Sequence, residues 1–257
     1  MLSMKDKIVF ITGASSGIGQ ATAQAFAALG SRILMCARRG ERLEKLATTL
    51  EYESKVPVHF FRLDVRDQAA VDRAVAGLPA EWRAIDVLVN NAGLSRGLDK
   101  LPQGLVDDWE EMIDTNVKGL LFVSRAVIPG MIERGRGHII NIGSIAGHEV
   151  YPGGGVYCAS KFAVRALSKG LRLDLNGTPL RVSEISPGMV ETEFSLVRFH
   201  GDAERAAKVY QGLTPLGSDD IADAVVWCAT RPAHVNVSDV IIWPTAQASA
   251  TLVKRKT

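Results

Sequence analysis

The stretch Lys7-Ile8-Val9-Phe10-Ile11-Thr12-Gly13-Ala14-Ser15-Ser16-Gly17-Ile18-Gly19 decides the fold. Its first six residues are an apolar run of strand length. Three glycines then turn the chain into residues 17–29, whose apolar positions recur with helical period. A strand, a glycine-rich turn and a helix in that order open a βαβ unit. Glycine adopts positive φ and lets the backbone approach closely, as a loop wrapped around a pyrophosphate must. The helix behind it presents free N–H groups and the positive end of its dipole to that anion. The spacing is G-x-x-x-G-x-G rather than G-x-G-x-x-G, and no Gly-Lys-Ser/Thr closes it, so it is not a P-loop.

Working outward, residues 31–37, 56–63, 85–90, 138–142, 180–185 and 240–243 are further strand-length apolar runs. They alternate with helical patterns at 41–52, 67–78, 107–115, a second ending near Arg134, 156–175 and 219–230. Continuous apolar strands alternating with helices predict an α/β fold, a doubly wound parallel sheet with helices on both faces (a Rossmann fold). No composition break or repeat divides the chain, so residues 1–257 form a single dinucleotide-binding domain. Residues 187–201 read as irregular. They follow a strand C-terminus, where such sheets hold ligands, so a substrate lid is expected at about 187–215.

Composition narrows the function. At 257 residues, 47% hydrophobic and 23% charged, the chain can bury a large core. A net charge of +2 does not suggest nucleic acid. The basic tail Lys254-Arg255-Lys256 reads as a solvated end. Three cysteines, Cys36, Cys158 and Cys228, form no C-x-x-C pair, so neither a disulfide framework nor a metal site is indicated. No apolar stretch approaches the ~20 residues that span a bilayer. The N-terminal apolar run leads into the glycine loop rather than a cleavage site. The expectation is a cytoplasmic protein acting on a small molecule.

The second strand ends in Ala37-Arg38-Arg39, with no acid before Glu41. An acid there would bond a ribose 2′-hydroxyl, whereas arginines accommodate a 2′-phosphate, so NADP(H) is the expected cofactor. In Tyr157-Cys158-Ala159-Ser160-Lys161 a phenol and an ammonium share one helix face. A phenol of ordinary pKa, about 10, is a poor base at neutral pH until a cation favours its ionised form, and Lys161 supplies one. Ser144 follows the strand His138-Ile139-Ile140-Asn141-Ile142, and Asn90-Asn91-Ala92-Gly93 ends the strand at 85–90.

With these motifs, Asp64, Asn116 and Pro187-Gly188, the chain resembles the short-chain dehydrogenase/reductase family over nearly its whole length. The resemblance implies that Tyr157 is the general acid and base and that Ser144 hydrogen-bonds the reacting oxygen. It implies that Lys161 lowers the tyrosine pKa and binds the nicotinamide ribose, while Asn116 holds a water in a proton relay. The cofactor would run along Gly13, Ser15, Ser16, Gly17, Ile18 and Gly19, with Arg38 and Arg39 at the phosphate. Asp64 and Val65 would flank the adenine. Asn91, Ala92, Gly93, Pro187, Gly188, Val190 and Thr192 would line the remainder, Thr192 near the carboxamide. Family members are commonly homotetramers.

Met189-Val190-Glu191-Thr192-Glu193-Phe194-Ser195-Leu196-Val197-Arg198 and Pro244-Thr245-Ala246-Gln247-Ala248-Ser249 look like NADP-dependent 3-hydroxy acid dehydrogenases. These act on short anionic substrates such as L-serine, L-allo-threonine or malonic semialdehyde, and a related branch reduces sulfoacetaldehyde. Arg198 is then the candidate carboxylate clamp, with Tyr151 as second donor. The alternatives are a reductase of an apolar ketone, favoured by Phe194, Leu196, Val197 and Phe199, and a non-catalytic NADP-binding sensor. The intact Ser144, Tyr157 and Lys161 speak against the sensor. His138, Trp109 and Trp227 read as structural, and His148 as a pocket wall or exposed residue.

Overall fold

Strand β1 (Ile8–Thr12) is buried at every position, which accounts for its unbroken apolar run. The computed structural model describes residues 2–256. Around β1 lie β2 (Arg32–Ala37), β3 (Val58–Arg62), β4 (Val87–Asn90), β5 (Gly137–Ile142), β6 (Leu180–Pro187) and β7 (Asp239–Ile242). They form one parallel sheet of seven strands in the order β3-β2-β1-β4-β5-β6-β7. The order reverses between β1 and β4, so the crevice beyond the strand C-termini opens there.

Helices α1 (Gly17–Ala28), α2 (Gly40–Glu53) and α9 (Ser218–Ala229) cover one face, where Phe26, Leu43 and Val225 pack on Val9 and Ile11. The opposite core holds α3 (Gln68–Ala76) and α5 (Leu120–Glu133), with Val71, Val127 and Met131 against Phe10 and Leu88. Phe10 and Phe26 are fully buried, and truncating such a side chain to alanine costs about 3–5 kcal/mol. Helix α6 (Gly155–Asp174) carries the Tyr157 and Lys161 positions.

Several sequence expectations are corrected. The helical patterns expected to part after residue 115 run on as one path, because α4 (Val106–Ile113) passes through a π turn, Asp114–Gly119, into α5. The segment 187–201 is not irregular throughout, since it contains α7 (Phe194–Arg198), and α8 (Ala203–Tyr210) follows. The tail is docked rather than a free solvated end: the Lys256 amide donates to the Gly212 carbonyl, and Arg255 donates to the carbonyls of Val209 and Gln211. Trp227 is 45% exposed beneath the Arg231 guanidinium, so it does not pack into the core. His138 is buried against the Ser183 hydroxyl, and burial holds its pKa well below the ordinary value. All three cysteines are buried and free, and burial pushes the Cys36 thiol up to about 12.

Candidate active site

The glycine loop between β1 and α1 is braced from the end of β4. Thr12 Oγ1 accepts the amides of Asn91 and Ala92 at 3.1 and 3.0 Å, and Asn91 Nδ2 donates to the carbonyls of Thr12 and Gly13. Gly13 and Gly17 have φ of 66° and 55°, a region that disfavours any side chain. A Cβ on Gly13 would lie 2.8 Å from Ala92 Cα, and one on Gly19 would strike Asn91 Nδ2. The motif Asn90-Asn91-Ala92-Gly93 therefore holds the loop's shape, and Gly19 acts from behind it.

A single cleft runs from this loop across the sheet's switch point. It is lined by Gly13, Ser15, Ser16, Gly17, Ile18, Arg38, Arg39, Asp64, Val65, Asn91, Ala92 and Gly93. At its far end stand Ser144, Tyr157, Lys161, Pro187, Gly188, Val190 and Thr192. Leu63, Leu94 and Thr115 also line it and were missed in the sequence, where no motif marks them, and Glu193, Phe194 and Val197 of the expected lid join them.

Ser144 comes just after β5, and its Oγ accepts the Ala146 amide at 3.1 Å. The first turns of α6 bury Tyr157 and Lys161, and Lys161 Nζ donates to the Ile142 carbonyl at 2.9 Å. Burial pushes the Tyr157 phenol far above its ordinary value, Tyr151 adds to this, and Arg198 and Ser144 pull it down less strongly. The phenol is thus protonated at neutral pH, ready to donate. Of the nearby cations, the Arg198 guanidinium pulls on it in this structure. Burial lowers Lys161 to about 8, and Glu184 opposes that shift.

Asn116 sits in the π turn, a distortion that recurs at functional sites. Its carboxamide donates to the Leu94 carbonyl at 2.8 Å and to Ser160 Oγ at 3.0 Å, and accepts the Leu94 amide at 2.8 Å. It fastens the chain leaving β4 to α6, opposite Lys161.

Glu184 lies on β6 behind the site, buried, with its Oε1 accepting the Ser186 hydroxyl at 3.0 Å. The Ser186 hydroxyl also meets His148 Nε2 at 3.2 Å. His148, Glu184 and Asp239 bring potential ligand atoms within 4.8 Å of one another. Burial and the nearby Arg165 and Lys169 hold the His148 pKa below its ordinary value. Because the Glu184 carboxylate favours the Lys161 ammonium, Glu184→Gln is expected to lower the Lys161 pKa below about 8. Activity measured in the reducing direction should then fall away at lower pH than in the wild type, with Glu184→Asp restoring most of the profile. An unmoved alkaline limb would show that Lys161 does not depend on Glu184.

The adenosine end is rich in arginine. Arg39 donates to Ser15 Oγ at 3.2 Å and Ser16 Oγ at 2.6 Å, which fixes its guanidinium beside the glycine loop. Arg38 turns to Glu111 at 3.0 Å, so the two arginines engage different partners in this structure. Asp64 accepts both Nε and Nη2 of Arg66. Burial pushes the Asp64 carboxyl up, but these bonds hold it below its ordinary value. An acid absent from the local sequence arrives from elsewhere: Glu193 accepts from Arg39 and Arg42, which together lower its pKa.

At the reacting end, Arg198 Nη2 donates to Tyr151 Oη at 3.0 Å. Its guanidinium carbon lies 5.3 Å from the Tyr157 ring centroid and 5.0 Å from that of Phe194. Arg198 Nε is buried with no partner. Helix α7 is held down by the Arg96 guanidinium on the Val197 carbonyl and by the Gly97 amide on the Arg198 carbonyl. Tyr151 lines a neighbouring cavity that it shares with Tyr157, Trp109 and Met112.

Glycines that leave backbone bare, serine hydroxyls and guanidinium donors suit anionic phosphate oxygens, so this cleft fits a dinucleotide. Known proteins agree. A family model described as short chain dehydrogenase matches residues 7–201. The NADP-dependent 3-hydroxy acid dehydrogenase of Salmonella typhi is 52% identical over 246 residues, spanning 95% of this chain and 98% of that protein. The serine 3-dehydrogenase of Rhizobium radiobacter is 45% identical over 242 residues, spanning 94% and 95%. A solved structure, the closed form of serine dehydrogenase complexed with NADP+, matches with a TM-score of 0.91 at 47% identity, covering 97% of this chain and all (100%) of that one.

Proposed function

Because this chain belongs to the short chain dehydrogenase family, we propose that it is an NADP(H)-dependent oxidoreductase interconverting a short 3-hydroxy acid and its carbonyl form. The observation that carries the substrate class is Arg198. A guanidinium with a buried, unpartnered Nε stands beside the rings of Tyr157 and Phe194 and the Tyr151 hydroxyl. A buried donor without a partner costs free energy, which an incoming carboxylate oxygen would recover. L-Serine, L-allo-threonine and 3-hydroxypropionate each carry a carboxylate two bonds from the carbinol carbon. Sulfoacetaldehyde offers a sulfonate in the same role.

The nicotinamide cofactor, when bound, accepts or supplies the hydride. It would be held by the glycine loop, by Arg39 at the 2′-phosphate, and by Asn91, Lys161 and the 187–192 segment toward the ring. The chain's own residues handle the proton and the substrate. In reduction the Tyr157 hydroxyl donates its proton to the carbonyl oxygen, and its burial keeps that proton in place beforehand. Ser144 Oγ donates a second hydrogen bond where negative charge gathers on that oxygen. In oxidation Tyr157 takes the hydroxyl proton, helped by positive charge from Lys161. Arg198 and Tyr151 hold the acid end, so the carbinol carbon is presented in one orientation.

The apolar-ketone reading draws on Phe194 and Val197, which line the cleft. Initial rates with NADP+ and L-serine, L-allo-threonine, 3-hydroxypropionate and an uncharged secondary alcohol separate the two. The hydroxy acids should be turned over with the higher kcat/KM. Turnover of the uncharged alcohol alone would discard the substrate class while leaving the fold and the proton chemistry intact.

Cytoplasmic location and a homotetramer complete the proposal. In support, no described helix is long and apolar enough to cross a membrane. Phe162 and Leu173 on α6, Leu121 and Ile132 on α5, and Ile241 on the edge strand β7 are exposed apolar side chains that a symmetric assembly would cover. Light scattering of the eluted protein reads the subunit number directly.

A further inference from the structure

Glu193 joins two parts of the site that the sequence keeps apart. Its Oε2 accepts from Arg39 Nη1 at 2.8 Å, and both its oxygens accept from Arg42 Nη1, at 2.7 and 2.9 Å. Arg39 already holds Ser15 and Ser16 of the glycine loop. Its third nitrogen is engaged by an acid 154 positions away. Arg42 lies three residues after Arg39, in the first turn of α2, and reaches the same carboxylate. These side chains are roughly two-fifths exposed, and exposed ion pairs of this kind contribute little to stability.

Glu193 also immediately precedes α7, and Arg198 is the last residue of that helix. Five helical residues span only about 7.5 Å. The carboxylate held by the cofactor-side arginines and the guanidinium facing Tyr157 are thus the two ends of one short rigid piece. That piece is fastened to the loop after β4 through the Val197 and Arg198 carbonyls.

We propose that Glu193 is an internal stand-in for the cofactor's 2′-phosphate, occupying Arg39 and Arg42 until the phosphate takes its place and, through α7, setting Arg198 when it is released. The proposal rests on the NADP(H) reading above and adds Arg42 to the phosphate seat. A phosphate monoester carries nearly twice the charge of a carboxylate and offers three acceptor oxygens, so the arginines favour it. The carboxylate and the phosphate repel one another in a shared seat, so Glu193 must give way. A cofactor without the phosphate leaves the Glu193 contacts in place. Discrimination between the two dinucleotides is then felt at the substrate arginine as well as at the adenosine end.

Fluorescence titrations of NADPH and NADH into the wild type, Glu193→Gln, Arg42→Ala and Arg39→Ala test this. Removing the competing charge in Glu193→Gln should tighten NADPH about 3–10-fold and leave NADH within about twofold. Arg42→Ala should weaken NADPH about tenfold and spare NADH. Hydrogen exchange gives the second readout: amides of residues 194–198 should respond to NADPH but not to NADH in the wild type. In Glu193→Gln they should already show the NADPH-like state. Unchanged or weakened NADPH binding in Glu193→Gln, or an equal change for NADH, overturns the stand-in role. If Arg39→Ala leaves the NADPH-to-NADH affinity ratio unaltered, the NADP(H) reading itself falls, whatever Glu193 does.

Discussion

Tyr157→Phe is expected to lower kcat by about 10³–10⁴-fold while NADPH still binds with near-normal affinity. The substitution removes one oxygen and leaves the ring, which packs edge-on against Phe194 at 5.6 Å and beneath Arg198 at 5.3 Å. The lid should therefore keep its seat on the site. What disappears is the proton donor and one of the two hydrogen bonds to the reacting oxygen. No neighbouring acid replaces it easily: Tyr151 is raised by burial and bonded to Arg198, and Lys161 is tied to the Ile142 carbonyl. Rapid-mixing measurements of NADPH consumption, alongside a binding titration, separate the loss of chemistry from loss of the cofactor. A variant with turnover within tenfold of the wild type would remove Tyr157 from the acid–base role.

Arg198→Ala is expected to lower kcat/KM for a hydroxy acid by about 10²-fold or more, mostly through KM. Truncating one partner of a buried, hydrogen-bonded charge pair costs about 2–5 kcal/mol, and a substrate carboxylate left without its arginine suffers that loss. The effect should fall on ground-state and transition-state binding together, because the carboxylate does not change charge during the reaction. Arg198→Lys should recover only part of the loss. It returns the charge but not the planar fork, and it lacks the stacking that the guanidinium has over Phe194 and Tyr157. Steady-state rates for the three proteins with one hydroxy acid decide the matter. Equal kcat/KM in wild type and Arg198→Ala would place Arg198 outside the pocket.

The parts of the site that were legible in the sequence are those built from neighbours along the chain. Tyr157 and Lys161 share a helix face four residues apart, and the glycine loop lies between an apolar strand and its helix, so backbone geometry alone brings each set together. Ser144 was found for the same reason, at the end of an apolar strand. The doubly wound sheet followed from strand-length runs that are apolar throughout, a pattern that burial on both faces requires. Element boundaries moved by a few residues only.

What escaped was carried by long-range pairing. Glu193 meets Arg39 across 154 positions and Arg96 meets the Val197 carbonyl across 101, and nothing local marks either acceptor. Glu184 did not stand out, because β6 also carries Arg181, Ser183 and Ser186 among its apolar residues. Its value lies in facing Lys161 from the neighbouring strand, a matter of register rather than composition. The π turn at Asn116 was read as a gap between helices because it interrupts the helical period without ending the helix. The tail looked like a solvated end because its side chains are charged, yet its main chain docks beside α8. Arg38 and Arg39 are adjacent, yet one meets Glu111 and the other the serines of the glycine loop, a divergence that adjacency does not reveal.

The central claim is that the substrate is recognised through its carboxylate by Arg198. It is tested most directly by comparing kcat/KM for 3-hydroxybutyrate and for its uncharged methyl ester, with NADP+, in the wild type and in Arg198→Ala. The carbinol is the same in both compounds, so the ratio isolates the charge. The account predicts a preference for the acid of about 10²-fold in the wild type that collapses toward unity in Arg198→Ala. Equal rates for acid and ester in the wild type, or a preference that survives the loss of Arg198, would contradict it.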